Sequence, residues 1–321
     1  MELENVLLIG GSGFVGGWIA SRLSERGIRV TIPTRHRDHT KKLTMLPMIS
    51  MVEANVHDPQ ELVQLMRGQD AVINLVGILH DHDSRLPYGK GFAAAHVDLP
   101  GKIVAAMRQS GVRRLVHMSA LKAATNAPSE YLRSKGEGEA IVHAAMQELD
   151  ITVFRPSVIF GPDDAFLNMF AKLIKLFPIL PLGAGEARFQ PVYIGDVASV
   201  FTDCLGNGAT FGKTYELCGP KVYSLRELVE YTAQLVGKSP KIIDLGSGGW
   251  AYLQAGLMWL LPNPPLSPDN LRSMEVDSVS DGQHDYPDWH PEALEAVAPG
   301  YLSPNEIVQL RLDRFRYRAG R

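Results

Sequence analysis

Short apolar runs alternate with longer segments of helical spacing through the first half of the chain. The apolar runs lie at 6–9, 29–32, 71–76, 114–118 and 151–154. They are rich in β-branched and aliphatic residues, as is typical of strands buried on both faces of a sheet. Segments with apolar residues every three or four positions, which predict helices, lie at 14–26, 59–67, 96–110 and 129–148. This alternation predicts right-handed βαβ units and an α/β fold with a doubly wound parallel sheet.

The pattern changes after residue 160, where prolines become frequent. Residues 214–217 look like one more strand that returns to the sheet. Residues 224–236 have helical spacing, and Ser224 with Glu227 matches a capping box. We therefore expect a nucleotide-binding domain at 1–160, with a returning strand near 213–218, and a smaller interleaved substrate or partner domain at 161–321.

Composition excludes several classes of protein. The 321 residues are 45% hydrophobic, which is too apolar for a disordered chain, and the formal net charge of −3 gives no reason to expect a nucleic-acid partner. Two cysteines, Cys204 and Cys218, are too few for a disulfide framework. The first residues are acidic rather than basic, and no stretch reaches the roughly 20 apolar residues of a membrane span. We expect a cytoplasmic protein.

Glycines at a strand-to-helix junction predict a phosphate site. Gly10, Gly13 and Gly16 follow the first strand, and Phe14 and Val15 open the first helix. In such a turn the first glycine permits the bend, the second lets the backbone approach a pyrophosphate, and the third allows the helix to pack closely. The alternative is a purely structural glycine turn.

The end of the second strand indicates which dinucleotide binds. It carries Arg35 and has no acid before Asp38, whereas a carboxylate here would bind the ribose of NAD. Arg35, with Arg37, Lys41 and Lys42 behind it, suits a 2′-phosphate, so NADP(H) is preferred and NAD(H) is second. The alternative is a solvated basic loop.

Polar residues after the third strand lie where such folds contact adenine. Asn55 and Val56 are candidate contacts, and Asp58 either accepts a hydrogen bond from the adenine amino group or forms an Asx turn before Pro59.

Tyr131 and Lys135 form the candidate catalytic pair. Their spacing of four places the phenol and the ammonium on one face of a helix. We expect the cation to lower the pKa of Tyr131, so that the phenol exchanges a proton with a substrate oxygen while hydride moves to or from nicotinamide. Lys135 is also placed to bond the nicotinamide ribose. Ser119, directly after the fifth strand, completes the set.

These motifs resemble the extended short-chain dehydrogenase/reductase superfamily. More narrowly, the sequence is similar to the atypical group that includes the nucleotide-binding accessory subunit of mitochondrial complex I. The matching segments are 10–16, 71–77, 119–121, 129–137, 155–162 and 188–198. The resemblance implies an NAD(P)-binding Rossmann domain and further cofactor contacts at Leu75, Val76, Gly77 and Pro156.

The sequence also departs from the superfamily pattern. Ser119 precedes Tyr131 by only 131 − 119 = 12 residues, whereas extended relatives have a longer loop. His96 stands where an asparagine is usual. The Tyr–Lys pair therefore allows two interpretations, catalytic turnover by Tyr131 or a retained but inactive helix face.

Two other charged segments carry weaker signals. His80, Asp81, His82 and Asp83 alternate in a loop and cannot easily converge on one ion, so we expect no metal site and a polar rim instead. The arginines near the C-terminus, at 311, 314, 316, 318 and 321, predict a solvated or partner-facing helix end.

Residues 245–268 contain no charge. Trp250, Leu253, Leu257 and Leu261 recur at helical intervals, which predicts a core-facing helix. Further apolar residues, 258–260, continue around that helix. The excess suggests an apolar substrate pocket, a partner groove or an interfacial contact.

Three functions follow. The first is an NAD(P)H-binding oxidoreductase-like protein that acts on or senses an apolar, quinone- or isoprenoid-like ligand, linked to ubiquinone biosynthesis or respiratory complex I. The second is a non-catalytic, nucleotide-loaded assembly protein within a protein complex. The third is a nucleotide-sugar epimerase or dehydratase. A peripheral contact at the inner face of a membrane is compatible with the first two.

Overall fold

The computed structural model describes residues 3–35, 43–83, 87–259 and 266–304. The strands are β1 (Asn5–Ile9), β2 (Arg29–Thr34), β3 (Ile49–Glu53), β4 (Ala71–Asn74), β5 (Arg114–Met118), β6 (Asp150–Pro156), β7 (Ile159–Phe160), β8 (Ile179–Gly183), β9 (Arg188–Phe189), β10 (Val192–Tyr193), β11 (Lys213–Leu217), β12 (Tyr223–Ser224) and β13 (Lys241–Gly246). The helices are α1 (Phe14–Glu25), α2 (Pro59–Met66), α3 (Lys90–Phe92), α4 (Leu99–Ser110), α5 (Glu130–Ala144), α6 (Leu167–Leu176), α7 (Ile194–Asp203), α8 (Leu225–Val236), α9 (Gly249–Met258), α10 (Pro268–Ser273), α11 (Leu294–Val297) and α12 (Pro299–Leu302). A π-helical turn at Ala93–Asp98 joins α3 to α4, and 3-10 turns lie at Leu43–Met45 and Gly208–Thr210.

A seven-stranded parallel sheet organises the first part of the chain. Its strand order is β11-β6-β5-β4-β1-β2-β3, and every neighbouring pair is parallel. The order reverses at β1, so β1 and β4 lie side by side at the centre of the sheet. The predicted α/β class and doubly wound parallel sheet are confirmed. Ligands of such sheets bind at the carboxyl ends of the strands around this reversal.

Helices from both sides bury the sheet. Residues of α2, α4 and α5 share one core with β1 and β5, in which Leu7, Ile103 and Leu115 are almost fully buried. Helices α1 and α7 pack together. Strands buried in this way need continuous apolar sequence, which explains the runs seen along the chain.

The chain divides into two compact units. The first comprises Met1–Pro156, Ile194–Leu217 and Asp281–Pro287, and the second comprises Ser157–Tyr193, Cys218–Ser280 and Asp288–Arg321. The strand predicted to return near 213–218 is β11, which completes the parallel sheet beside β6. The division at 160 did not anticipate two other parts of the first unit, α7, which packs against α1, and Asp281–Pro287.

The second unit is built from short strand pairs and helices. Strands pair as β10 with β7, β12 with β9 and β13 with β8. Helices α6 and α8 supply most of its core, and the expected capping box at Ser224 and Glu227 begins α8. Among the described residues, no helix is both long and apolar enough to cross a membrane.

The predicted core face of the helix near residue 250 is wrong. Trp250, Leu253 and Leu257 are 73%, 53% and 63% exposed, and Leu261 lies outside the described residues. The buried face consists of Ala251 and Ala255. Small side chains let α9 approach β8 closely: a Cβ added at Gly183 would lie only 2.8 Å from the Cβ of Ala251.

Candidate functional site

The turn between β1 and α1 requires glycine at two positions. Gly10 has φ of +83°, and a Cβ there would lie 3.1 Å from backbone atoms of Leu75 and Val76. A Cβ at Gly16 would lie 2.4 Å from the Cα of Gly11. The turn therefore packs against its own helix and against the segment that follows β4. In this way the fold brings Gly10, Leu75 and Val76 together.

Gly13 differs from these two glycines because no contact among the described residues requires glycine there. It caps α1 in ordinary extended conformation, with φ of −82° and ψ of −179°. A Cβ there would meet only the carbonyl oxygen of Gly10, at 3.4 Å. No side chain caps the helix, so the backbone N–H groups of its first turn, including those of Phe14 and Val15, are available to an anion.

A buried polar pair fixes the segment after β4. Asn74 donates from Nδ2 to Nδ1 of His117, its neighbour on β5, over 3.1 Å. The other end of the Asn74 amide, Oδ1, accepts from the N–H of Val76 over 3.2 Å. Burial, followed by the charge of Lys135, holds the pKa of His117 well below its usual value, so this imidazole is neutral.

Lys135 lies among the strand ends. Ser129 caps α5 by accepting from the N–H of Leu132, and Lys135 follows one turn later. Its Nζ donates to the carbonyl oxygen of Met118 over 2.7 Å and lies 3.9 Å from where a Cβ on Gly77 would be. Burial lowers the pKa of Lys135 to about 8, and Glu139 opposes that shift. The structure thus brings Lys135 and Gly77 together.

The expected pKa of Tyr131 is wrong in direction. Burial raises the pKa of Tyr131 to about 12. The ammonium of Lys135 bonds the carbonyl of Met118, whereas the phenol ring packs against Phe92 and His96, the latter edge-on with ring centroids 5.5 Å apart. Apolar and neutral surroundings disfavour the phenolate. In this structure the phenol of Tyr131 is therefore protonated at neutral pH.

Ser119 directly follows β5, and its buried hydroxyl forms no hydrogen bond within the described part of the chain. Its backbone N–H donates to the carbonyl of Phe154 over 2.8 Å. The N–H of Leu121 donates to the carbonyl of Pro156, and this bond fixes the turn that follows Ser119. Ser119 is 3% exposed, and among the described residues its Oγ has no hydrogen-bond partner. A buried hydroxyl without a partner costs free energy, which a ligand that bonds it would recover.

His96 is a site residue whose role the sequence did not reveal. It lies in the π-helical turn, almost fully buried. Its Nε2 accepts from the N–H of Ile78 over 3.0 Å, and its Nδ1 donates over 2.8 Å to Oγ of Ser134, which in turn donates to the carbonyl of Tyr131. Burial lowers the pKa of His96 to about 2. The neutral ring thus links the segment after β4 to α5.

In the acidic loop at 80–83, Asp81 forms hydrogen bonds with backbone N–H groups. Asp81 accepts from the N–H of Asp83 over 3.0 Å and from the N–H of Phe92 over 2.7 Å. Both carboxylate oxygens of Asp81 are therefore engaged within the loop.

Positive charge lies near the loop that follows β3. Arg35 is exposed directly after β2. Burial, then the charge of Lys102 and then that of Arg35 lower the pKa of His57. Lys102, which the sequence reasoning missed, donates from Nζ to the carbonyl of His57 over 2.9 Å. The predicted Arg37, Lys41 and Lys42 lie outside the described residues.

The candidate adenine contacts have structural roles. Asp58 caps α2 by accepting from the N–H of Gln60 over 2.8 Å, which favours the Asx-turn interpretation. Asn55 accepts from the N–H of His57 over 3.1 Å, and Val56 packs against the core. Contact of Asn55 or Val56 with adenine stays a prediction.

Replacing Lys135 with methionine should remove a rise in stability between pH 8 and pH 10. The pKa of Lys135 is about 8 in the fold and 10.5 as a model value. Between these values the unfolded chain binds more protons, so wild-type stability increases with pH. Urea unfolding at several pH values measures this, with exposed Lys213→Met as the control. Parallel pH curves for wild type and Lys135→Met would contradict the assignment. Above pH 10 the raised pKa of Tyr131 acts in the opposite direction.

Fold and site together define a Rossmann protein of the short-chain dehydrogenase/reductase type. The chain belongs to the NAD dependent epimerase/dehydratase family, which it matches over residues 6–218. It is 31% identical over 245 residues to NADH dehydrogenase (ubiquinone) 1 alpha subcomplex subunit 9, mitochondrial, of Arabidopsis thaliana, a match that covers 74% of this chain and 59% of that protein. The group resemblance is confirmed. The chain spans 59% to 61% of the length of three such relatives.

Two further similarities add detail. A protein of Caulobacter vibrioides named ceramide reductase is 25% identical, over 79% of this chain and 76% of its own length. The solved structure of Thermus thermophilus UDP-glucose 4-epimerase in complex with NAD superposes with a TM-score of 0.64 at 19% identity, covering 87% of this chain and 96% of that one. The second similarity supports the fold alone.

Proposed function

We propose that the chain binds NADP(H), and NAD(H) more weakly, as an oxidoreductase-like protein for an apolar, quinone- or isoprenoid-like ligand. One observation carries the proposal: the N-cap of α1 is an exposed glycine, Gly13, although no contact within the described part of the chain requires glycine at that position. A ligand that lies close to the helix N-terminus would explain why this position has no side chain, and pyrophosphate is the anion that such turns bind.

The other site residues suit the rest of a dinucleotide. The backbone of Phe14 and Val15 would bond the pyrophosphate, and Lys135 would bond the nicotinamide ribose beside Gly77. Ser119 offers a buried hydroxyl that has no partner among the described residues. A bound nicotinamide would supply or accept the hydride. Tyr131, kept protonated by its surroundings, would donate a proton to a substrate oxygen.

The apolar ligand is supported by the names of two relatives. The Arabidopsis relative is named as a subunit of an NADH dehydrogenase (ubiquinone), and the Caulobacter relative as a ceramide reductase. Neither name refers to a nucleotide sugar, and we therefore rank an apolar ligand above a diphosphate sugar.

Arg35→Ala should weaken NADPH binding about tenfold and leave NADH binding within about twofold. A guanidinium at a 2′-phosphate forms a charge-assisted contact of roughly 1.5–3 kcal/mol that an exposed setting reduces. Titration calorimetry with both nucleotides measures the difference. The exposed Arg67→Ala is a matched control. Unchanged affinity for both nucleotides would assign Arg35 to a solvated loop instead, and equal losses would place its contact on a part that NADPH and NADH share.

A second candidate, a nucleotide-loaded assembly protein without turnover, is favoured by the pKa of Tyr131, which burial raises rather than lowers. The relatives named as complex subunits support a protein partner. We place either protein in the cytoplasm or peripherally at the inner face of a membrane.

Tyr131→Phe separates turnover from assembly. If Tyr131 donates the proton, single-turnover oxidation of NADPH by a short-chain quinone should slow by about 100-fold or more, with the affinity for NADPH unchanged. Tyr88→Phe is the control, because the hydroxyl of Tyr88 donates to Glu137 of α5, the helix that carries Tyr131. Absence of NADPH oxidation in the wild type would favour the assembly protein, and a wild-type rate in Tyr131→Phe would mean that another group supplies the proton.

A further inference from the structure

One face of α9 is exposed and apolar. Trp250, Leu253 and Leu257 are spaced by three and four residues, so they form one stripe along the helix, opposite the buried Ala251 and Ala255. Single exposed apolar residues are common, but three large ones on one uncharged helix indicate an interaction surface.

The strands that α9 packs against extend this apolar surface. Gln254 of α9 donates to the carbonyl of Pro181 on β8 over 2.8 Å, and β8 pairs with β13. Exposed apolar side chains lie on β8 (Ile179, 51%), on β13 (Ile243, 41%) and at the end of α6 directly before β8 (Leu176, 72%, and Phe177, 47%). We define these four residues with Trp250, Leu253 and Leu257 as the α9–β8 surface.

Four exposed lysines lie on segments that adjoin the α9–β8 surface. Lys172 and Lys175 are exposed on α6, directly before β8, and Lys238 and Lys241 are exposed at the start of β13. Lys241 is the register partner of Ile179, and its N–H donates to the carbonyl of Pro178. Helices α6 and α9 and strand β8 contain no acidic residue.

Three carboxylates on the neighbouring segments have partners of their own. Asp244 of β13 accepts from Nη2 of Arg226 over 2.5 Å and from the N–H of Gly246 over 2.7 Å. Glu186, which follows β8, is 85% exposed and lies 3.8 Å from the same arginine. Glu275, beyond α10, accepts from the hydroxyl of Tyr252 over 2.9 Å. With Arg226 and the four lysines, the charged residues named around this surface carry a net positive charge.

We propose that the α9–β8 surface binds an anionic lipid membrane. Trp250, Leu253 and Leu257 enter the boundary between headgroups and acyl chains, and the lysines face the lipid phosphates. A tryptophan and leucines on one helix face with lysines beside them is the combination that interfacial binding uses. A uniformly negative surface complements four lysines better than a protein surface of mixed charge does. The proposal does not depend on dinucleotide binding.

Vesicle sedimentation of the purified full chain tests the proposal. We expect binding to mixed phosphatidylcholine–phosphatidylserine vesicles that weakens with salt, and little binding to pure phosphatidylcholine. Leu253→Gln with Leu257→Gln should abolish it, whereas Met45→Gln, 80% exposed in the other unit, should not. Lys175→Gln with Lys241→Gln should weaken binding about 30-fold, at roughly fivefold per lysine, and Lys213→Gln should have no effect.

Fluorescence quenching by brominated lipid provides a second readout. Quenching should be strong in the wild type and largely lost in Trp250→Phe, with the thermal midpoint unchanged. Failure to sediment with either vesicle, equal affinity for both, or unchanged binding of the leucine variant would overturn the proposal. So would concentration-dependent self-association that the leucine variant abolishes, because the face would then belong to a second copy of the chain.

Discussion

Replacing Gly13 with alanine should weaken dinucleotide binding by about 10- to 100-fold while leaving thermal stability unchanged. The added Cβ meets only the carbonyl oxygen of Gly10, at 3.4 Å, so the fold accepts it. It would, however, hold a pyrophosphate away from the first turn of α1. Losing one hydrogen bond to a charged group costs roughly 1.5–3 kcal/mol, which corresponds to this range of affinity. Calorimetric titration and a thermal melt measure both quantities.

Two neighbouring glycines provide the controls. A Cβ at Gly17, in the same helix, would meet only Leu43 at 3.9 Å, so Gly17→Ala should keep binding and stabilise α1 by up to about 1 kcal/mol. Gly16→Ala should instead lower stability, because its Cβ would lie 2.4 Å from the Cα of Gly11. Unaltered nucleotide affinity in Gly13→Ala would show that no phosphate approaches this turn.

Replacing Arg114 with methionine should destabilise the first unit by about 3–5 kcal/mol. Arg114 is fully buried in β5. Its guanidinium donates to the carbonyls of Leu205, Leu115, Asp150 and Cys204 over 2.7–3.2 Å. Methionine fills the volume but leaves these carbonyls without their donor, and two of them follow the end of α7, where a cation is favourable.

Arg113 offers a matched control one residue away. Its side chain is 65% exposed and lies 3.5 Å from Asp150, so Arg113→Met should change stability by less than about 1 kcal/mol. Urea unfolding followed by circular dichroism compares the two variants. Equal, small effects would mean that water replaces the guanidinium of Arg114 at little cost.

The strongly patterned elements were predictable from sequence, and the others were not. Strand β5 was predicted at its observed bounds from its apolar residues Leu115, Val116 and Met118, whereas the burial of its two polar residues, Arg114 and His117, could not be inferred from that pattern. Helix α6 was missed, because flanking prolines at 162 and 178 obscured its period. For α9 the helix was predicted but its buried face was not. Nearly every position in α9 is apolar, so only packing against Gly183 selects Ala251.

The site was predictable where its residues are close in sequence. The glycine turn and the Tyr131–Lys135 pair follow from local spacing. Lys102 and His57 meet across 45 residues, and the link from His96 to Ser134 spans 38, so neither could be inferred locally. The pKa of Tyr131 depends on where the Nζ of Lys135 points, which spacing alone does not determine.

The central claim is that this chain binds a dinucleotide at the β1–α1 turn. Calorimetric titration of the purified wild-type chain with NADPH and with NADH tests that claim most directly. We predict one site per chain, with the tighter affinity for NADPH and micromolar or better dissociation constants. Absence of heat and of any thermal shift with both nucleotides at millimolar concentration would contradict it.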